Sequence, residues 1–258
     1  MVTILFHSTI FGPIHSRRLG TSLGVNLSPI DGKVCSFDCI YCEAGYNSQG
    51  AGKAGLPSRE EVARLLEEKL KSMVANGENL DVITFSGNGE PTIHPQFPEI
   101  IDDTIALRNQ YFPNVKISVL CNSTRLGDES VVKALFKVEN NILKLDSAIT
   151  STMRLIDQPN SPTFTSERVV AQIARFGNQC IVQTMMLRGW HDGCRIDNTT
   201  SEEVEALLNA YKRINPAEVM LYSIDRKTPE ENLEKVSIEE LNSIAETFRA
   251  AGIKVQVN

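Results

Sequence analysis

Short apolar runs rich in β-branched residues alternate along the chain with longer segments in which apolar positions recur at helical spacing. The short runs predict strands at 23–27, 81–85, 115–121, 142–146, 180–186, 218–224 and 254–257. The amphipathic segments predict helices near 58–76, 96–110, 128–138, 163–177, 201–214 and 237–251. Alternating strands and helices indicate an α/β fold with a parallel sheet and external helices. We therefore expect a partial or full (β/α) barrel of about six units, with an open doubly wound sheet as the alternative.

Three of the predicted helices begin with a capping box, in which a hydroxyl and a carboxylate satisfy the free N–H groups of the first turn. These pairs are Ser58 and Glu61, Thr200 and Glu203, and Ser237 and Glu240. The helix starts are therefore the best-defined boundaries in the sequence.

Composition and charge narrow the class of protein. The 258 residues are 41% hydrophobic and 22% charged, as in ordinary globular proteins. A formal charge of −6 does not favour a broad basic face for nucleic acid. The sequence has no run of eighteen apolar residues, which predicts no membrane span, and its first residues lack the charged region of a signal peptide. We therefore expect a cytoplasmic protein with reduced cysteines.

Three of the six cysteines, Cys35, Cys39 and Cys42, lie within eight residues as C-x₃-C-x₂-C. Reduced thiolates at short spacing are ligands for iron–sulfur clusters or zinc. With three thiolates a four-iron cluster keeps one iron open for a substrate or cofactor. The alternative is a structural zinc site with a distant fourth ligand, such as His15 or His94.

The cysteine motif resembles the signature of the radical S-adenosylmethionine (SAM) superfamily, including the aromatic Tyr41 before the third cysteine. The segment Ser86-Gly-Asn-Gly-Glu-Pro is similar to the Gly-Gly-Glu segment of that superfamily. The segment 12–20 and the residues around both motifs resemble those of the branch related to tRNA wyosine synthases. The resemblance implies a single domain over 1–258, with a core at about 12–226 and a closing βα segment at about 227–258.

The resemblance implies that Cys35, Cys39 and Cys42 hold a [4Fe–4S] cluster whose open iron binds SAM. Reductive cleavage of SAM then gives methionine and a 5′-deoxyadenosyl radical, which abstracts hydrogen from a substrate. The electron would come from a flavodoxin-like or ferredoxin-like reductant. The substrate is not identified by the sequence.

The SAM contacts implied by the resemblance follow the second and third predicted strands. They are the backbone at Tyr41 for adenine, Gly87, Asn88, Gly89 and Glu90 for the methionine amino group, and Asn122 and Ser123 for the ribose or carboxylate. Glycines allow backbone to approach a ligand, and a carboxylate can pair with an ammonium. Asn88 stands where many members have glycine, and Gly-Asn-Gly alone is also an ordinary turn.

Period-two alternation places further polar side chains inside the predicted barrel. Lys144 and Asp146 share one strand face, and a buried lysine requires a partner, so we expect them to pair. The pair is either structural or functional, and Asp146 is also a candidate SAM contact. Gln183 faces inward as a contact of adenosine or substrate, or as a satisfied core residue. Cys121 and Cys180 are predicted to be buried structural thiols.

Four residues outside these strands are further candidates. Arg17 and Arg18 are predicted to cover the barrel mouth, to bind an anionic group or to be solvated. Trp190 follows the fifth strand as a substrate or capping contact. Cys194 is a candidate radical-quenching thiol or extra cluster ligand. Together with Lys144 and Asp146 it completes the set of candidate catalytic residues.

The sequence is also compatible with two alternative functions. One is a wyosine-type tRNA-modifying enzyme, which the acidic net charge disfavours. The wyosine synthases that the chain resembles carry additional N-terminal cysteines, whereas this chain has no cysteine before Cys35. The other is a non-catalytic metal-binding barrel. The intact cysteine motif and Gly-Asn-Gly-Glu segment favour an enzyme.

Overall fold

The computed structural model describes residues 4–16 and 19–258. Its strands are β1 (Ile10–Ser16), β2 (Gly20–Val25), β3 (Val82–Phe85), β4 (Lys116–Cys121), β5 (Asn140–Lys144), β6 (Cys180–Met185), β7 (Leu187–His191), β8 (Cys194–Asp197), β9 (Glu218–Tyr222), β10 (Leu233–Lys235) and β11 (Val255–Val257). Its α-helices are α1 (Arg59–Asn76), α2 (Phe97–Tyr111), α3 (Glu129–Leu135), α4 (Thr150–Asp157), α5 (Ser166–Ile173), α6 (Ser201–Ile214) and α7 (Ile238–Ala250).

One sheet organises the molecule. Its strand order is β1-β2-β3-β4-β5-β6-β9-β11. Within this sheet all strands after β1 run parallel to one another, and β1 pairs antiparallel with β2. The sheet is a partial barrel of the (β/α)₆ kind, with β11 and β1 added at its two ends. The prediction of an α/β partial barrel in a single domain is therefore confirmed. A second sheet, β10-β7-β8, lies beyond the end of β6.

Burial on both sides explains why the central strands read as continuous apolar runs. Every residue of β3 is buried, because helices cover one face and barrel side chains fill the other. Helix α1 buries Val62, Leu66, Leu70 and Met73, a single stripe at helical spacing.

The three predicted capping residues act as caps. Ser58 Oγ accepts from the Glu61 N–H at 3.2 Å, and Ser237 Oγ accepts from the Glu240 N–H at 3.2 Å. Thr200 Oγ1 accepts from the Glu203 N–H at 3.4 Å. No helix in the described ranges has the length and apolarity needed to cross a bilayer.

The sequence pattern missed five elements, β1, α4, β7, β8 and β10. Strand β1 lies at a sheet edge and exposes several polar and apolar residues, so it lacks an alternating pattern. The segment around Trp190, expected to be a loop, forms the β7-β8 hairpin, in which Trp190 pairs with Arg195. The predicted helix at 163–177 is confined to α5, Ser166–Ile173. Arg17 and Arg18 lie outside the described residues.

A candidate cofactor site at the carboxyl ends of the strands

The cysteine loop, defined here as residues 33–47, connects β2 to the segment before α1 and carries three half-buried thiols. Burial raises the pKa of Cys35 to about 11, and the nearby Glu90 carboxylate adds to the rise. Burial also raises the pKa of Cys39, as do the thiols of Cys42 and Cys35. The three thiols therefore lie on one loop, where burial disfavours the free thiolate forms of Cys35 and Cys39.

Polar contacts inside the cysteine loop fix its path. The Lys33 ammonium donates to Asp38 Oδ1 at 3.0 Å and to the Gly45 carbonyl at 2.7 Å. Asp38 Oδ1 also accepts from the Asn47 N–H at 2.7 Å. The Asn47 amide donates to the carbonyls of Cys35, at 3.3 Å, and Phe37, at 3.1 Å. The loop is thus folded around the side chains of Lys33 and Asn47, and neither residue was among the predicted site residues.

Helix α4 supports the other side of the loop. The N–H groups of Asp38 and Ile40 donate to the carbonyls of Asp157 and Ile156, each at 3.0 Å. Ile40 is fully buried with Ile156 and Met185 in a small apolar cluster. The C-terminal carbonyls of α4 are therefore satisfied by the cysteine loop, which ties the loop to the strand-end region after β5.

The two glycines after β3 allow protein segments to approach one another. A Cβ on Gly89 would lie 1.9 Å from the Val34 carbonyl oxygen, and one on Gly87 would lie 2.3 Å from Asn26 Oδ1. Val34 and Gly89 form a parallel bridge, with the Val34 N–H donating to the Asn88 carbonyl at 3.1 Å. Gly89 therefore lets the cysteine loop lie directly against the segment that was predicted to approach SAM, and Gly87 lets that segment approach Asn26 at the end of β2.

Asn88 is fully buried, and its side chain is occupied by the protein. Its Oδ1 accepts from the Phe6 N–H at 2.8 Å. Its Nδ2 donates to the carbonyls of Phe6 and Pro29, each at 2.9 Å. This arrangement gives a physical reason for the asparagine at a position where a glycine was expected: the amide holds the chain near Phe6 over the strand ends.

Glu90 is a buried crosslink between two strand ends. Its Oε2 accepts from the Asn122 N–H at 2.6 Å, and its Oε1 accepts from the Thr92 N–H at 3.0 Å and from the Thr92 hydroxyl. Burial raises its pKa, and these hydrogen bonds oppose the rise. In this geometry the carboxylate orders the loop after β3, a role in addition to the ammonium contact predicted for it.

Asn122 joins the end of β4 to the first cysteine. Its Nδ2 donates to Ser36 Oγ at 3.0 Å and lies 3.5 Å from Cys35 Sγ. Its Oδ1 accepts from the Thr124 N–H and hydroxyl at 3.1 and 2.7 Å. The neighbouring Ser123, at φ 69°, points instead to β5 and donates to the Lys144 carbonyl at 3.0 Å. Asn122 therefore faces the cysteines, whereas Ser123 joins β4 to β5.

A buried charged group lies under the second cysteine. The Lys144 ammonium contacts the Asp146 carboxylate, the Tyr41 hydroxyl and Asp157 Oδ1, the last at 2.7 Å. The Tyr41 hydroxyl also donates to Asp146, and the Cys39 thiol lies 3.7 Å from Asp157 Oδ1. The pairing of Lys144 with Asp146 is as predicted, whereas Asp157, at the end of the unpredicted helix α4, is a new member of the group.

Electrostatics couple the members of this group. Burial raises the pKa of Asp157, the Lys144 ammonium opposes the rise, and the Asp146 carboxylate adds to it. Burial lowers the pKa of Lys144, but the two carboxylates outweigh it, and the net shift is upward. The lysine is therefore a fixed cation that balances buried carboxylates.

Asp146 and Gln183 occupy the adjoining strand ends. Asp146 Oδ1 accepts from the Met185 N–H at 2.9 Å, and the Asp146 carbonyl accepts from Asn198 Nδ2 at 2.8 Å. Gln183 is buried on the strand beside Lys144, its register partner. Gln183 follows the predicted inward alternation. Asn198 directly follows β8 and donates to the carbonyls of Asp146 and Met185, and it was missed because the β7-β8 hairpin before it was not predicted.

The remaining candidates lie elsewhere. Trp190 is 52% exposed on β7, and Cys194 is exposed at the start of β8. Cys121 and Cys180 are buried in the main core, as predicted. A 430 Å³ cavity lies between α4, β8 and the start of α6, and its lining includes none of the predicted site residues that the structure describes.

The chemistry of the donor set indicates the kind of metal that it suits. Among the residues with described positions, no three His, Cys, Asp or Glu side chains are grouped as a metal-ion site. His94, a proposed zinc ligand, has both ring nitrogens engaged, with Nε2 2.8 Å from the Pro57 carbonyl and Nδ1 accepting from the Gln96 N–H at 3.1 Å. His15 lies on β1. Three soft thiolates on one loop beside a buried ammonium fit a larger iron–sulfur cluster.

Comparison with known families gives the same assignment. The family model of the Radical SAM superfamily matches residues 30–197. "GTPase Obg" of Brachyspira hyodysenteriae is 28% identical over 244 residues, which are 93% of this chain and 33% of that protein. The UPF0026 protein slr1464 of Synechocystis is 30% identical over 227 residues, which are 85% of this chain and 77% of that protein. The chain therefore spans one third of the first relative and most of the second.

Solved structures share the fold at low sequence identity. A radical SAM methyltransferase from Sphaerobacter thermophilus has a TM-score of 0.65 at 16% identity, covering 92% of this chain and 65% of that one. Streptococcus suis SuiB bound to S-adenosylmethionine has a TM-score of 0.64 at 14% identity, covering 91% and 50%. TYW1 with a lysine-pyruvate adduct has a TM-score of 0.61 at 14% identity, covering 90% and 75%.

Proposed function

The chain belongs to the radical SAM superfamily, and from this premise we propose that it is a radical SAM enzyme in which Cys35, Cys39 and Cys42 hold a [4Fe–4S] cluster. The observation that carries the proposal is the contact between the cysteine loop and the Gly87–Glu90 segment through the Val34–Gly89 bridge. Membership of the superfamily implies an iron–sulfur cluster and SAM. The bridge supports binding of both at one place, since it holds the two segments in direct contact.

The bound cluster would supply the electron that cleaves SAM to methionine and a 5′-deoxyadenosyl radical, which abstracts hydrogen from the substrate. The protein would position the reactants. The backbone of Gly87 to Glu90 would meet the methionine end of SAM, with Asn88 and Glu90 holding that backbone in place. Asn122 and Tyr41 would flank the cofactor at the first and third cysteines, and Ser123 would join this wall to β5.

The second part of the site would serve substrate or adenosine. Gln183 lies on β6 beside Lys144 of β5. The Lys144 ammonium pairs with Asp146, just after β5, and with Asp157 at the end of α4. Lys144 and Asp146 would position groups by charge, and Cys194, exposed on the hairpin, has the weakest structural support of the catalytic candidates. The substrate class stays open, and a flavodoxin-like or ferredoxin-like protein would supply the electron.

A wyosine-type tRNA-modifying activity is less well supported. The neighbour TYW1 was solved with a lysine-pyruvate adduct, which needs a lysine amine. The two lysines of the present site, Lys33 and Lys144, are buried ammonium groups paired with carboxylates, and the pKa of each is raised. An ammonium is not a nucleophile, and the net charge of −6 disfavours a broad RNA-binding face.

The test is anaerobic reconstitution with iron and sulfide, followed by addition of dithionite and SAM and measurement of 5′-deoxyadenosine by mass spectrometry. We expect bound iron and sulfide, and product formation that is lost in Cys35→Ala. Cys180→Ala, which removes a cysteine of the main core outside the motif, is the matched control and should retain the cluster and product formation. Anaerobically isolated protein with zinc and no iron would contradict the proposal and support a non-catalytic metal-binding barrel.

A further inference from the structure

A buried ion pair lies inside the cysteine loop. Lys33, two residues before the first cysteine, has a side chain only 2% exposed. Its ammonium is 3.0 Å from Asp38 Oδ1 and 2.7 Å from the Gly45 carbonyl. Asp38 lies between Cys35 and Cys39, and Gly45 follows Cys42, so the cation is enclosed by the loop that carries all three thiols.

Contacts place the cation against the backbone of the thiol-bearing loop. The ammonium binds Asp38, which directly precedes Cys39, and the carbonyl of Gly45, whose own N–H donates to the Cys42 carbonyl at 2.9 Å. Lys33 and Asp38 therefore form one pair of opposite charge inside the loop that carries the three sulfurs.

We propose that the Lys33–Asp38 pair sets the reduction potential of the cluster held by Cys35, Cys39 and Cys42, with Lys33 raising the potential and Asp38 lowering it. This inference rests on the proposed function. Reduction adds one electron to the cluster and takes up no atom, so a nearby fixed cation stabilises the reduced state and a nearby carboxylate destabilises it. The burial of Lys33 and the partial burial of Asp38 strengthen both effects, since less water screens the charges than at the surface.

A purely structural role would give a different pattern. As a structural contact, the pair would hold the loop through hydrogen bonds, and either substitution would lower cluster content without a defined change in potential. The electrostatic role predicts shifts of opposite sign for the two partners. Asp38→Asn is the more conservative change, because its side-chain oxygen still accepts from Lys33 and from the Asn47 N–H.

The experiment compares wild type, Lys33→Met, Asp38→Asn, the double variant and Lys33→Arg. Each is reconstituted anaerobically, assayed for iron and sulfide, and titrated electrochemically without SAM while the reduced cluster is followed by electron paramagnetic resonance. We expect Lys33→Met to lower, and Asp38→Asn to raise, the ratio of reduced to oxidised cluster at a fixed potential by about tenfold. For a one-electron couple this is about 59 mV in each direction. The double variant and Lys33→Arg should lie between these extremes, near wild type.

Each outcome decides a separate point. Wild-type protein that takes up no iron–sulfur cluster would overturn the proposed function. A normal cluster whose potential is unchanged in Asp38→Asn and Lys33→Met would overturn the role of the pair and leave the proposed function intact. If Lys33→Met assembles no cluster, Asp38→Asn decides alone: an upward shift supports the inference, and an unchanged or lowered potential contradicts it.

Discussion

The two halves of the site are built on different principles. In the first half, at the ends of β2, β3 and β4, buried Asn26, Asn88, Glu90 and Asn122 bind mainly backbone groups. In the second half, at the ends of β5 and α4, Lys144, Asp146 and Asp157 bind one another. We call these the backbone-binding half and the charged half. The first positions loops through neutral contacts and one carboxylate, whereas the second concentrates charge in the interior.

This difference determines what each half tolerates. An amide bound to backbone contributes a modest net stabilisation, and its loss leaves a few unpaired groups. A buried ion pair adds little net stability when complete, yet removal of one partner leaves an uncompensated charge. The backbone-binding half should therefore lose order gradually, while the charged half should fail sharply when its cation is removed.

The largest effect is expected from Lys144→Met. Loss of the ammonium leaves Asp146 and Asp157 buried without their cation, and removing one partner of such a group typically costs about 3–5 kcal/mol of unfolding free energy. Urea unfolding of the cofactor-free protein would measure it. Lys71→Met, which removes an exposed lysine paired with Glu67, is the control and should change stability little. Equal stability losses in the two variants would contradict the distinction.

Gly89→Ala should disrupt the join between the cysteine loop and the glycine segment. The added Cβ would lie 1.9 Å from the Val34 carbonyl oxygen, which is backbone and cannot rotate away. We expect a loss of about 3 kcal/mol, at the upper end for overpacking, together with reduced iron uptake on reconstitution. Gly127→Ala is the control, because Gly127, like Gly89, lies outside the left-handed region, and its Cβ would meet only the side-chain ends of Gln172 and Arg168, at 3.2 and 3.7 Å. Iron uptake at wild-type level would show that the bridge is not needed.

Asn88→Ala is the graded counterpart in the backbone-binding half. It removes one acceptor and two donor contacts to Phe6 and Pro29, and leaving such buried groups unpaired costs about 1–3 kcal/mol. We expect faster amide hydrogen exchange at Phe6 before any global unfolding. Asn242→Ala, which removes a contact on an exposed helix face, should leave the exchange rate of Phe6 unchanged. Unaltered protection of Phe6 in Asn88→Ala would refute the assigned contact.

The smallest effect is expected where the two halves meet. Ser123 Oγ donates to the Lys144 carbonyl at 3.0 Å, and Ser123→Ala removes this single hydrogen bond between β4 and β5. The expected cost is about 1 kcal/mol in thermal or urea unfolding. Ser161→Ala, on an exposed loop, is the comparison. A loss as large as that of Lys144→Met would mean that the halves are one cooperative unit.

Local features of the sequence were sufficient for much of this structure. Apolar periodicity predicted the seven parallel strands and placed six helices, and Ser58, Thr200 and Ser237 marked three helix starts. Alternation along β5 predicted the Lys144–Asp146 pair. These predictions succeed because each depends on residues a few positions apart, where the chain geometry is fixed by the backbone itself.

The missed features differ in how far they depend on distant contacts. Helix α4 is only eight residues long and receives loop N–H groups at its end, so its stability comes from tertiary packing. Strand β10 pairs with β7 from far along the chain, whereas β7 and β8 form a local hairpin. The turn of that hairpin, Asp192-Gly193, is a local signal that went unused. Asp157 ends α4 and enters the site only through tertiary contacts.

The sequence by itself determined the fold class, the three thiols on one loop and the family to which the chain belongs, since short spacing and periodicity carry that information. Only the tertiary structure decided how the loop is held. The carbonyl of Val34 occupies the space that Gly89 leaves, and Asn88 is occupied by Phe6 and Pro29. The physical reason is that close approach and buried charge balance are properties of pairs of segments, and neither segment shows its partner in its own residues.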